Sequence, residues 1–211
     1  SDVFHCTIPG LSLMLRSNLL KNTDPDFASR LLDVIENDIV PLTRDGVEIG
    51  NKVFGAAILR KSDLSLVVAG TNFETENPLW HGEMSTLKSF YEMPEDQRPA
   101  TSDCIFLTTH EPCSLCLSAI TWTGFDNFYY FFGYEDTRDA FNIPHDLKIL
   151  QEVFKVDNGE YKRRNDFWES HDLIALAGDT GVTQVSRIRQ AYDKLSATYQ
   201  ASKSENSIPL S

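Results

Sequence analysis

The chain has 211 residues, long enough for one well-buried domain with an extension, and 41% of them are hydrophobic, as in a soluble globular protein. With 19 Lys and Arg against 31 Asp and Glu its formal charge is −12, which argues against gripping long nucleic acid through clustered cations. No uncharged apolar stretch approaches the length of a membrane span, so no membrane partner is expected.

Residues 10–20 have the composition of a short helix after the break at Pro9 and Gly10. Asp24 and Pro25 read as the N-cap and first position of the next helix, in which Phe27, Leu31, Leu32, Val34, Ile35 and Ile39 follow helical spacing. Pro41 is expected to close it. Residues 53–59 and 65–71 read as two strands of a hairpin, with Gly55 marking a close backbone approach. A loop at 74–78 leads to a helix that begins near His81, carries Glu83, Leu87, Phe90 and Tyr91, and stops before Pro94. Residues 104–108 form a buried-type strand. Pro112 opens the next helix, with Leu115, Ala119, Ile120 and Trp122 within it. The aromatic run 127–132 is a strand, and 136–141 and 145–154 are helical. Helices are expected over 165–177 and 183–199, split by Gly178-Asp179-Thr180-Gly181.

This order predicts an α/β chain of three layers, α/β/α, around a mixed sheet, with a C-terminal helical extension. The expected division is 1–157 for the main domain with its N-terminal helices, 158–200 for a helical extension packed on it, and a Ser-rich, disordered tail at 201–211.

Four cysteines are present: Cys6, Cys104, Cys113 and Cys116. Without a basic segment and a long apolar run at the start, no signal peptide is expected, and so sparse a set fits a reducing, cytoplasmic setting. Cys6 and Cys104 read as small buried hydrophobes. His81, Cys113 and Cys116 are the ligand types that Zn²⁺ prefers. Three protein ligands leave one position for water, the pattern of a catalytic rather than a structural site. Cys113 and Cys116, three apart, share one face of a helix's first turn, where the exposed N–H groups favour thiolates. Glu83, two residues from His81, fits a proton carrier better than a ligand. His110 offers an alternative, a closed Cys₂His₂ site. The acidic pairs Glu74/Glu76 and Asp136/Asp139 read most simply as solvated charges, and His5, His145 and His171 as surface or core residues.

Trp80-His81-Gly82-Glu83-Met84 and Glu111-Pro112-Cys113-Ser114-Leu115-Cys116 together form H-x-E…P-C-x-x-C, the signature of zinc-dependent base deaminases. Over roughly residues 53–146 the chain resembles the cytidine and deoxycytidylate deaminase superfamily. Phe54-Gly55-Ala56 looks like that superfamily's first core strand, with Val53 where a proline is frequent. The resemblance implies Zn²⁺ held by His81, Cys113 and Cys116, a zinc-activated water, and Glu83 as catalytic proton shuttle. It implies substrate contacts from Asn72 and the Gly82 backbone, and the position of the His110 residue is not a ligand there. Phe54 and Trp80 are candidate pocket walls. The helix from His81 to Leu87 looks like fungal cytosine deaminases. Cys113 to Trp122 looks like guanine deaminases, whose course residues 136–154 also follow, with Asp146 near an acidic residue that reads the purine amino group. The expected activity is hydrolytic deamination of a free nucleobase or nucleoside such as guanine, cytosine or cytidine, by a homodimer. Two other readings stay open: a non-catalytic, zinc-stabilised interaction module, and a tRNA adenosine deaminase-type editing subunit. In the extension, Phe167, Trp168 and His171 are either a lid or a packed helix.

Overall fold

A computed structural model describes residues 25–205 and 207–210; the helix expected over 10–20 lies outside them. Helix α1 (Pro25–Val34) begins at the predicted proline. Pro41 does not end it. A single π turn, Ile35–Ile39, intervenes, and α2 (Val40–Glu48) carries Pro41 in its first turn. A proline has no N–H to give and is tolerated at the start of a helix. The π turn shifts the register so that a new helix start falls there, with Val40 N–H donating to Ile35 O.

Strands β1 (Gly55–Arg60) and β2 (Leu66–Thr71) form the predicted antiparallel hairpin. Helix α3 (Gly82–Glu92) follows, then β3 (Cys104–His110), α4 (Ser114–Trp122) and β4 (Asn127–Phe132). Two short helices, α5 (Tyr134–Asp139) and α6 (His145–Phe154), come next. The helix expected over 165–177 is instead strand β5 (Glu169–Asp172) followed by α7 (Leu173–Ala177). The long α8 (Val182–Ser202) closes the fold.

The sheet runs β2-β1-β3-β4-β5. β1 is antiparallel to β2 and β3, whereas β4 is parallel to both β3 and β5. Both faces are covered, so alternation in each strand sorts side chains between two apolar layers rather than between core and water. Ala57, Leu59, Ile105, Leu107, Tyr129 and Phe131 face α1, α2, α7 and α8; Ala56, Ile58, Phe106, Phe128 and Tyr130 face α3 and α4. The three-layer α/β/α expectation holds in this structure. Ile188, Tyr192, Leu195 and Tyr199 recur at helical spacing along α8 and join the first of these layers. Within the stretch expected as a disordered tail, α8 runs on to Ser202 and Ile208 is buried. No helix among the described residues is long and apolar enough to cross a membrane.

Candidate metal centre and active site

Two helix starts are brought together by the β1–β3 pairing. His81 is the N-cap of α3 and Cys113 the N-cap of α4, both in extended conformation, and Cys116 lies in the first turn of α4. Gly82 allows the approach: a Cβ there would stand 2.6 Å from Phe54 O and 2.7 Å from Gly55 N. At the neighbouring strand ends, Thr109 Oγ1 accepts from Gly55 N at 3.0 Å and lies 3.1 Å from Gly55 O.

The three predicted ligands converge. Cys113 Sγ lies 3.4 Å from His81 Nδ1 and 3.6 Å from Cys116 Sγ, and Cys116 Sγ lies 3.7 Å from His81 Nδ1. A tetrahedral zinc with its usual bond lengths requires S···S of about 3.8 Å and S···N of about 3.5 Å. The donor set and its spacing therefore fit Zn²⁺. The cluster of possible ligands comprises only these three among the described residues. His110 is not part of it. Its ring is buried among Phe54, Phe132, Phe141 and Tyr192, with Nδ1 2.9 Å from Thr109 Oγ1, so the closed Cys₂His₂ alternative is not formed. The Cys113 thiol is held well below its ordinary range by a hydrogen bond from Cys116, and further by His81; burial pushes Cys116 up.

Glu83 is buried beside this triangle. Burial first, and then the Cys113 thiolate, pushes its carboxyl up to about 7. Thr108 Oγ1 lies 3.2 Å from Glu83 Oε1 and 2.8 Å from His110 O. A hydroxyl has one proton to give. Spent on the closer His110 carbonyl, it leaves Thr108 lone pairs facing Glu83, which favours the protonated carboxyl there.

A cavity joins Glu83, His81 and Cys113 to Phe54, His110, Glu111 and Asp146. Its volume is about 10 Å³, about that of one water molecule. Asp146, in the first turn of α6, is pushed well above the ordinary carboxylate range by burial and then by Cys113.

The other expected contacts fall differently. Trp80 is not among the cavity's walls. Asn72 is fully buried, and its amide is tied to Glu74 at both ends: Nδ2 donates to Glu74 Oε2 at 2.7 Å, and Oδ1 accepts from Glu74 N at 3.2 Å. Glu74 is not a solvated loop charge. Its side chain is 2% exposed, with Oε1 3.1 Å from Lys52 Nζ and 3.6 Å from His81 Nε2. Trp168 packs on Phe128 and donates to Thr121 Oγ1, and His171 stacks on Tyr129, so neither forms a lid. The extension reaches the site elsewhere. Glu111 Oε1 accepts from Tyr161 Oη at 2.7 Å and Arg163 Nη1 at 2.6 Å, and Oε2 from Tyr134 N at 3.1 Å. Glu111 belonged to the signature, but nothing in the local pattern announced its partners some fifty residues away.

Comparison with known proteins agrees with this geometry. Residues 39–132 match the family model described as the cytidine and deoxycytidylate deaminase zinc-binding region. A crystal structure of an NE0047 mutant in complex with 8-azaguanine superposes with a TM-score of 0.50 at 17% identity, over 92% of this chain and 97% of that one. That likeness bears on the fold. Guanine deaminase from Nitrosomonas europaea gives a TM-score of 0.49 at 18% identity, over 90% and 98% of the two chains. The guanine deaminase from Bacillus subtilis gives 0.45 at 22% identity, over 64% and 86%. A search of curated proteins finds no match. Within this chain the similarity to the cytidine and deoxycytidylate deaminase zinc-binding region spans residues 39–132, which include His81, Glu83, Cys113 and Cys116.

Proposed function

We propose that the protein is a zinc-dependent aminohydrolase of a free nucleobase or a nucleoside-sized ligand, with guanine favoured over cytosine or cytidine. The observation that carries the reading is the cavity itself, which Glu83 and Asp146 line together with His81 and Cys113, two of the three clustered ligands. Asp146 is partly buried on the cavity wall, and its carboxylate can accept N–H groups of a ligand. Guanine offers two donors on adjacent atoms, the ring N1–H and the 2-amino group. Cytosine offers only its amino group on the corresponding edge. The crystallised neighbours bound to 8-azaguanine and to 2,6-diaminopurine are consistent with a ligand of this size.

When bound, Zn²⁺ lowers the pKa of a water in the open corner to about 7. With zinc held by His81, Cys113 and Cys116, Glu83 would take one proton of the attacking water to the ring nitrogen and then carry the water's second proton to the amine as the C–N bond breaks. The balance is one base and one water in, one carbonyl product and one ammonia out. A carboxyl poised near 7 is suited to taking and giving protons in one cycle, a role worth roughly 10²- to 10⁴-fold in rate. Phe54 lines the cavity and packs edge-on to His110, so it supplies an apolar wall. A homodimer belongs to the same reading by resemblance, and sedimentation tests it; the cytoplasmic setting is proposed from the sparse cysteines and the division at residue 157 from the order of elements.

The test is ammonia release by zinc-loaded protein across guanine, cytosine, adenine and their nucleosides. Turnover of at least one base is expected, with Glu83→Ala abolishing it while zinc stays bound. Full activity in Glu83→Ala removes the proposed shuttle. Zinc binding without turnover of any ligand in the panel leaves the interaction module as the better account.

A further inference from the structure

The 72–81 segment binds a carboxylate that the deamination chemistry does not use. Glu74 sits between β2 and α3 with its side chain 2% exposed. Lys52 Nζ, itself buried, lies 3.1 Å from Oε1, and Asn72 Nδ2 donates to Oε2 at 2.7 Å. The Thr75 N–H donates to Asn51 Oδ1 at 2.9 Å, fixing the loop beside residues 51 and 52. A buried charge held by two partners, Lys52 and Asn72, in a loop composed like a solvent-exposed one, needs a reason.

His81 supplies it. Its Nδ1 edge faces both thiols, and its Nε2 edge faces Glu74 Oε1 at 3.6 Å. An imidazole that ligates through Nδ1 must carry its proton on Nε2, and the acceptor placed there sets the ring's tautomer and orientation. We propose that Glu74, held by Lys52 and Asn72, is the positioning residue of the metal centre: it fixes His81 with Nε2–H toward the carboxylate and Nδ1 toward the metal. At 3.6 Å the contact is an ion-pair distance rather than a hydrogen bond, and metal binding at Nδ1 is expected to draw it shorter. The proposal rests on the zinc reading of the site and not on which base is deaminated.

The experiment uses the full-length chain, wild type and Glu74→Gln, with the double variant Lys52→Met/Glu74→Gln. The double variant leaves no uncompensated charge in the interior and keeps the test interpretable if the single variant folds poorly. Zinc affinity is measured by competition with a chromophoric chelator, and the imidazole tautomer by ¹⁵N-histidine NMR of the zinc-loaded protein. Both variants are expected to bind zinc about 10- to 100-fold more weakly, with a shifted His81 Nε2–H resonance and unchanged circular dichroism. Glu76→Gln, on the exposed part of the same loop, is expected to match wild type. Zinc affinity within twofold of wild type in the folded variants, or an unmoved His81 resonance, overturns the proposal. A protein that shows these shifts but deaminates nothing keeps the proposal and sinks only the substrate reading; a wild type that binds no zinc sinks both.

Discussion

The tightest joint in the structure is Gly82, and substituting it tests how the site is assembled. A methyl at this position would stand 2.6 Å from Phe54 O and 2.7 Å from Phe54 C and Gly55 N. Ordinary contacts of a Cβ begin near 3.4 Å, so α3 and the β1 end must part by most of an ångström, and the obstacle is backbone that cannot swing aside. Overpacking of this kind costs about 1–3 kcal/mol. Ala gains back at most about 1 kcal/mol in helix propensity. Gly82→Ala is therefore expected to lose up to about 2 kcal/mol of stability. The sharper effect is on rate. His81 and Glu83 flank residue 82, and a shift near 1 Å at a reacting group costs on the order of 10²-fold. The assay is ammonia release beside urea unfolding of the same preparation. Gly46→Ala is the control: its methyl would meet the Thr71 side-chain methyl at 3.3 Å, which can yield, and it sits in a helix. It is expected to be neutral or stabilising by up to about 1 kcal/mol. Gly82→Ala with wild-type stability and wild-type rate would refute the claim that this contact sets the position of the α3 start.

His110 makes stability depend on acid. Burial holds its pKa down to about 3, against 6.5 as the ordinary value. Its stability contribution is complete above 6.5, and falls as pH drops toward 3 because the unfolded chain then binds a proton that the folded chain refuses. Between those limits wild type is expected to lose about 1.4 kcal/mol per pH unit more than His110→Leu, read from urea midpoints at pH 6, 5 and 4; parallel lines for the two proteins would contradict it. Tyr161→Phe removes one of three donors from the buried Glu111 carboxylate. A stability loss of about 1.5–3 kcal/mol is expected, with zinc content unchanged, and chemical denaturation together with metal analysis checks both.

The metal ligands were legible because their chemistry is local. His81 and the Cys113/Cys116 pair are recognisable from residue type and spacing, and each falls at a helix start that the flanking residues also mark. The layer order was legible too, since β1, β3 and β4 are dense apolar runs buried on both faces. β5 was not. Its four residues, Glu-Ser-His-Asp, have no apolar alternation, and the strand exists because β4 presents an open edge. Pro41 misled for a similar reason, because a π turn upstream, which no residue type announces, made its position a helix start. Glu74 and Glu111 were hidden differently. A carboxylate in a polar loop reads as solvated, and only the fold brings Lys52 to one and Tyr161 with Arg163 to the other. Asp146 was reachable by resemblance alone, and the structure sets it on the cavity wall.

The proposed chemistry depends on a zinc centre with two thiolates, one imidazole and one exchangeable position. X-ray absorption at the zinc edge of the purified protein measures that set directly. The expected spectrum fits two sulfurs at about 2.3 Å and two N/O scatterers at about 2.0–2.1 Å, one of which is replaced when a base analogue that ligates zinc is added. A centre with a second imidazole, or one whose scatterers do not change on adding such an analogue, would contradict it.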